Sequence, residues 1–336
     1  MKRFALPVVV ILSWVFLLGA STGFQINEQE GWPPQTALYN DTAFLARAIP
    51  FIIALGIVVG IYQARQAAKN GGDAIIGDRV RRHDASVMVA HWSNAVGLIL
   101  GLVSGGIILR WVERPEEVRP IFVIHYLGAS LTLFAIFNHL TRHGVSGGTG
   151  LIPKSFGVLR DLIGELLAYL GLFGPDEAVL KIPWPKAIRT PIARYAKALL
   201  GYKESETGKY LSTEQLISYP PWVILIGLIV LTGLIKSLRY TWNIPNTLLV
   251  WATGIHDIVA VLIGVMLVIH LLPLLLVPAN WPLLLSMFKS TVSVEYVRKR
   301  HPKWYRDLKA KQEVTGDVKS AASEQEDQST EALAAD

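Results

Sequence analysis

Five separated apolar runs constrain this chain more than any other feature: they lie near Ala48 to Tyr62, Val87 to Leu109, Ile121 to Leu140, Trp222 to Leu238 and Thr253 to Val277. A hydrocarbon core of ~30 Å needs about 20 apolar residues in a helix, and a backbone in lipid must satisfy its own hydrogen bonds. The runs therefore read as transmembrane helices, and the expected fold class is all-α and integral to the membrane. Composition agrees, with 51% hydrophobic residues, only 17% charged, and a mean hydropathy of +0.39. A sixth apolar run, Phe4 to Ala20, follows Lys2 and Arg3 and leads into Gly19, Ala20 and Ser21. That is the layout of a secretory signal peptide, with an uncleaved anchor as the other reading.

The basic residues orient the spans. Placing the N-terminus, Gln63 to Ser86, Thr141 to Pro221 and the tail from Ser286 in the cytoplasm puts 26 of the 32 Lys and Arg residues there. Positive charge accumulates on the cytoplasmic side of membrane proteins, so the chain is expected to be multi-pass in the cell inner membrane with a cytoplasmic C-terminus. The same distribution turns a net charge of +6 toward anionic lipid rather than nucleic acid. The organisation expected is a signal or anchor at 1–22, an extension with one span at 23–80, a helical domain at 81–310 and a disordered tail at 311–336, where the chain turns Ala/Ser/Glu/Gln-rich. A possible amphipathic stretch lies near Leu159 to Phe173, and Pro220 and Pro221 suit the first turn of the following helix.

Cysteine is absent, which excludes disulfides, cysteine-held iron–sulfur clusters and thioether-attached haem. A redox centre here must rest on histidine. Four of the eight histidines, His91, His125, His256 and His270, sit within or at the edge of apolar spans, where an ionisable group is expensive and usually functional. His256 and His270 are fourteen residues apart, so they share one face of a helix at depths ~21 Å apart. Neutral imidazole is a good haem ligand and projects inward from facing helices. Depth pairs His125 with outer His256 and His91 with inner His270, which makes room for two b-type haems as axial-ligand pairs. His139 competes with His91 for the inner position, being fourteen residues from His125. Gly97, Gly101 and Gly105 make a smooth helix face that admits either a porphyrin or a neighbouring helix. His83, His143 and His301 lie in basic polar segments and are expected to be solvated.

Several short motifs resemble a known family. His301-Pro302-Lys303-Trp304-Tyr305-Arg306 is similar to the basic tail of the gamma subunit of membrane-bound respiratory formate dehydrogenase. The His256 and His270 pair is similar to that subunit's last helix, and His91-Trp92 and Leu127-Gly128 are similar to its other haem-helix motifs. The resemblance covers about Arg81 to Lys309 and implies a four-helix di-haem cytochrome b with an extra N-terminal helix. It further implies an iron–sulfur partner subunit, a molybdenum or tungsten catalytic subunit, and menaquinone or ubiquinone as the acceptor. The chain itself would be a non-catalytic electron-transfer subunit. The family's quinone motif is only half kept in Lys209-Tyr210-Leu211-Ser212-Thr213-Glu214-Gln215, so Lys209, Tyr210, Glu214 and Gln215 are candidate quinone contacts, with an ordinary helix cap from Ser212 or Thr213 to Gln215 as the alternative. The cytochrome b of a nickel–iron hydrogenase or of another periplasmic molybdoenzyme would obey the same logic. A haem-free transporter is the distant alternative; broken helices or inverted repeats would mark it.

Overall fold

The computed structural model describes residues 37–69, 72–147, 150–153, 156–172, 182–200 and 208–314. The signal-like segment at 1–22 and the tail beyond 314 lie outside these. In chain order the elements are α1 (Ala37–Lys69), β1 (Ala74–Ile76), β2 (Arg79–Arg81), α2 (Ala85–Ile108), α3 (Arg119–Ser146), α4 (Gly157–Tyr169), α5 (Lys186–Leu200), α6 (Tyr219–Leu238), α7 (Asn246–Leu276), α8 (Trp281–Lys289), β3 (Thr291–Ser293) and α9 (Val294–Arg300). A last helix, α10, runs over 302–314. Five helical stretches are long and apolar enough to cross a membrane: Asn40–Lys69, Ala85–Ile108, Arg119–Ser146, Glu214–Leu238 and Asn246–Leu276. The chain is an all-α integral membrane protein of multi-pass topology.

The chain divides into two units, each with its own contacts. The first holds α1, α2, α3 and the membrane stretches of α6 and α7. Lipid offers no hydrophobic drive for helices to associate, so they meet where side chains are small. Gly56 and Gly60 of α1 face α3 so closely that an added Cβ would lie 2.8 Å from the Phe134 and Asn138 carbonyl oxygens respectively. Gly97 of α2 and Gly128 of α3 meet in the same way, at 2.8 and 2.7 Å from each other's carbonyl oxygen. Polar ties lie near the start of α1 and α3: Arg119 donates to Asp41 at 2.7 Å, and the Thr42 and Tyr126 hydroxyls share a bond at 2.5 Å. α3 starts with Pro120 in its first turn and stops at Gly147, whose φ of +85° lets its N–H cap the His143 carbonyl.

The second unit holds a three-stranded antiparallel sheet of three-residue strands in the order β1-β2-β3, an addition to the helical plan. Gly77, at φ +60°, opens the two-residue turn between β1 and β2. Val80 pairs with Val292 across β2 and β3 and joins Val297, Trp304 and Leu308 in a buried cluster. Arg82, 4% exposed, pairs with Glu214 at 3.5 Å and lies over the Trp304 ring. His301 departs from the expectation of a solvated side chain. It is buried, at 1% exposed, because it closes α9 between Tyr296 and Trp304, with its Nδ1 donating to the Gly208 carbonyl at 2.8 Å. The helix start after Tyr210 also differs from expectation. The Glu165 carboxylate accepts from the Ser212 and Thr213 amides, and Glu214 accepts from Leu211. A π turn, Glu214–Ser218, precedes the prolines and widens the helix where Pro220 and Pro221 lack a donor.

Two outcomes follow from these contacts. Gly128→Val drives a branched side chain into the α2 backbone, and overpacking of this kind costs about 1–3 kcal/mol. Thermal unfolding in detergent should detect the loss, while Gly144→Ala on the same helix, where nothing lies within 4 Å of the added Cβ, should be silent. Burial, helped by the Arg82 charge, pushes His301 from its ordinary 6.5 down to about 3. The unfolded chain therefore holds more protons than the folded one between these values, so stability falls as pH drops from 6.5 toward 3. Protection factors of the amides in β2 and β3, which correct for the slower intrinsic exchange at low pH, should fall across that window, and His301→Asn should flatten the dependence.

Candidate haem-binding site

A cavity of about 430 Å³ opens among the helices of the first unit, within the ~300–1,000 Å³ range of cofactor sites. His125 from α3 and His256 from α7 face each other across it, with ring centres 6.3 Å apart and planes inclined at 62°. Each ring is fixed by a hydroxyl from another helix. Ser104 of α2 donates to the Leu100 carbonyl at 2.5 Å and lies 3.0 Å from His125 Nδ1. Thr232 of α6 donates to the Leu228 carbonyl at 2.7 Å and lies 2.9 Å from His256 Nδ1. Each hydroxyl has committed its only proton to a carbonyl, so it accepts from the imidazole and holds the proton on Nδ1. That leaves both Nε2 lone pairs free as ligands, an arrangement that orients ligating histidines from outside the coordination sphere.

Glycines follow the same pattern. Gly105, next to Ser104, lies against the His125 ring, where an added Cβ would sit 3.7 Å from Cε1; Gly233, next to Thr232, relates to His256 at 3.5 Å. Gly101 faces open space on the cavity wall, whereas Gly97 is used in packing against Gly128. The glycine face of α2 thus splits between the two roles its spacing allows. The charged groups on the wall are Lys236, Arg239 and Asp257, with Lys236 and Asp257 4.0 Å apart. Thr42, Leu45 and Ile49 of α1 also line the cavity.

A haem fits this pair. A metal–imidazole bond of about 2 Å plus a further ~1.1 Å to the ring centre puts two axial rings roughly 6 Å apart. A bare ion fits less well: among the described residues no group of three or more His, Asp or Glu side chains could hold one.

His91 and His270 stand on α2 and α7, away from this pair. His91 stacks on Trp92 at 5.3 Å and 12°, and His270 meets the edge of Trp222 at 6.0 Å. His139 instead neighbours His143, with ring centres 4.4 Å apart. The quinone candidates lie in the second unit and are engaged there. Lys209 pairs with Asp73 at 2.7 Å and lies over Tyr210 and Trp304, Glu214 holds Arg82, and Gln215 donates to the Gly150 carbonyl at 3.1 Å. Sequence reasoning missed Ser104 and Thr232. Their signal was a hydroxyl inside an apolar span, one helical turn or less from a glycine.

The family pattern described as prokaryotic cytochrome b561 matches residues 82–290, well over half of the chain. No curated protein and no solved structure is significantly similar to it. The matched segment begins after α1 and takes in His91, His125, His256 and His270, and its family is one of membrane b-type cytochromes that bind haem and serve electron transfer beside redox-enzyme subunits. The chain belongs to the prokaryotic cytochrome b561 family.

Proposed function

We propose that this chain is the di-haem membrane cytochrome b of a respiratory formate dehydrogenase, taking electrons from an iron–sulfur subunit fed by a molybdenum or tungsten catalytic subunit and delivering them to menaquinone or ubiquinone. The observation that carries the haem part is the His125–His256 pair at 6.3 Å with both Nδ1 protons held by hydroxyls. When bound, haem at each of the two depths supplies a one-electron carrier. The chain's part is to hold and orient: His125 and His256 bind at the outer level, Ser104 and Thr232 fix their tautomers, and the glycines leave the ring faces clear. At the inner level His91 and His270 are the ligand pair; depth and the resemblance of His91-Trp92 to a haem-helix motif support His91, and the His139–His143 neighbourhood sets His139 apart. Apolar helix faces keep water from both pairs.

The formate reading rests on the His301-to-Arg306 run and the His91-Trp92 opening. A second reading, the cytochrome b of a nickel hydrogenase, is favoured by the family, which also carries that cytochrome's name. In either case the basic-residue distribution supports a cytoplasmic C-terminus. Quinone contacts from Lys209, Tyr210, Glu214 and Gln215 stay a proposal, since each of these side chains already has a partner within the second unit.

Haem-to-protein stoichiometry of purified variants should test the ligands. His125→Ala or His256→Ala should remove one of two haems, as should His91→Ala, whereas His139→Ala should retain both. Loss of haem with His139→Ala and not with His91→Ala would move the inner ligand. The donor is tested in native membranes by following reduction of the haem bands: rapid reduction by formate supports the first reading, and reduction by hydrogen alone supports the second.

A further inference from the structure

Helices α4 and α5 carry a surface that electron transfer does not use. Phe156, just before α4, and Leu159, Ile163, Leu166 and Leu170 recur at three- and four-residue intervals and so share one face. All five are exposed, Phe156 at 97%. The rest of α4 is committed elsewhere, with Leu162 and Gly164 buried and Glu165 holding the Ser212 and Thr213 amides. α5 packs on α4 through Ala193 and Ala196 against Leu167. It turns Ile188 and Tyr195 outward, seven residues apart on one face, with Tyr195 73% exposed. Its other outward positions include Lys186, Arg194 and Lys197; with Arg189 they give the helix four cations and no acidic residue.

An apolar stripe of this length is costly in water and marks an interaction surface. The segment is joined to membrane spans at both ends, α3 before it and α6 after it, so a bilayer surface is always within reach. Helices with one apolar and one basic face lie in the plane of such a surface, burying the apolar face to ~5–10 Å. We propose that α4 and α5 form an interfacial pair that inserts its apolar stripes at the acyl boundary and binds anionic phospholipid headgroups through the α5 cations. Charge selects this occupant. Three outward cations on α5, a helix with no carboxylate of its own, match a phosphodiester layer, and Trp184, whose Nε1 donates to the Leu170 carbonyl at the junction of the two helices, is a residue type enriched at membrane interfaces.

The chain contains no cysteine, so a single introduced thiol gives a unique label in the intact protein. Leu166→Cys, Tyr195→Cys and, as a control off the stripe, Asp161→Cys would each be labelled with an environment-sensitive fluorophore. The full chain, its haem content checked, would then be reconstituted in vesicles of brominated phosphatidylcholine with or without phosphatidylglycerol. The expected result is quenching at positions 166 and 195 and none at 161, with quenching at 195 strengthened by phosphatidylglycerol. Arg194→Gln and Lys197→Gln should each lower the docked-to-undocked ratio roughly fivefold. Labels that stay in water overturn the proposal. Labels shielded from water but unquenched by brominated chains overturn it in favour of a protein partner. Quenching that ignores both phosphatidylglycerol and the charge substitutions overturns the headgroup assignment.

Discussion

The contact on which the cavity between His125 and His256 depends is the one between two glycines. With Gly97 and Gly128 in place, the backbones of α2 and α3 touch, because either Cβ would fall within 2.8 Å of the opposing carbonyl oxygen. Close approach at one level allows separation at the next. One turn on from Gly97, a Cβ added at Gly101 would meet nothing within 4 Å, and one further turn on a Cβ at Gly105 would lie 3.7 Å from the His125 ring. Packing and open space are thus set by the same four-residue spacing on one helix face, and α1 adds a wall by docking on α3 through its own pair of glycines.

Polar order in the second unit rests on a different principle. Its strands are too short to stand alone, and its buried core is small, so ionic contacts carry the arrangement: Arg82 with Glu214, Lys209 with Asp73, and both cations over Trp304. A buried pair is weak evidence of net stabilisation, but breaking one side of it is expensive. The run from His301 to Arg306, which resembles the tail of formate dehydrogenase gamma subunits, has a structural job in this setting. His301 and Trp304 are core residues of a folded unit, not loose basic decoration.

How much of this was legible follows from the range of each interaction. The spans were plain because twenty apolar residues in a row have few other uses, and the facing of His125 and His256 followed from periodicity and depth. Ser104 and Thr232 were not, since a hydroxyl in a membrane helix ordinarily bonds back to its own carbonyl, as both do; only the second partner, on another helix, gives them meaning. The sheet was invisible for a related reason. Its strands are three residues long, and Arg79 reaches Thr291 across 212 positions of sequence. His301 looked solvated because its neighbours in sequence are basic, whereas its neighbours in space are Tyr296 and Trp304.

The two hydroxyls also have a bearing on helix register. Each imidazole is oriented by a residue on a different helix from its own, so its orientation depends on how those helices are aligned along their axes. One turn above and below Ser104 stand Ile108 and Leu100; around Thr232 stand Lys236 and Leu228. A slip of α2 past α3 by a single turn would replace the hydroxyl beside His125 with an aliphatic side chain and take that acceptor from Nδ1. A buried polar contact that penalises every other alignment works as a registration mark. Among the described residues this bundle carries two of them, one on α2 and one on α6.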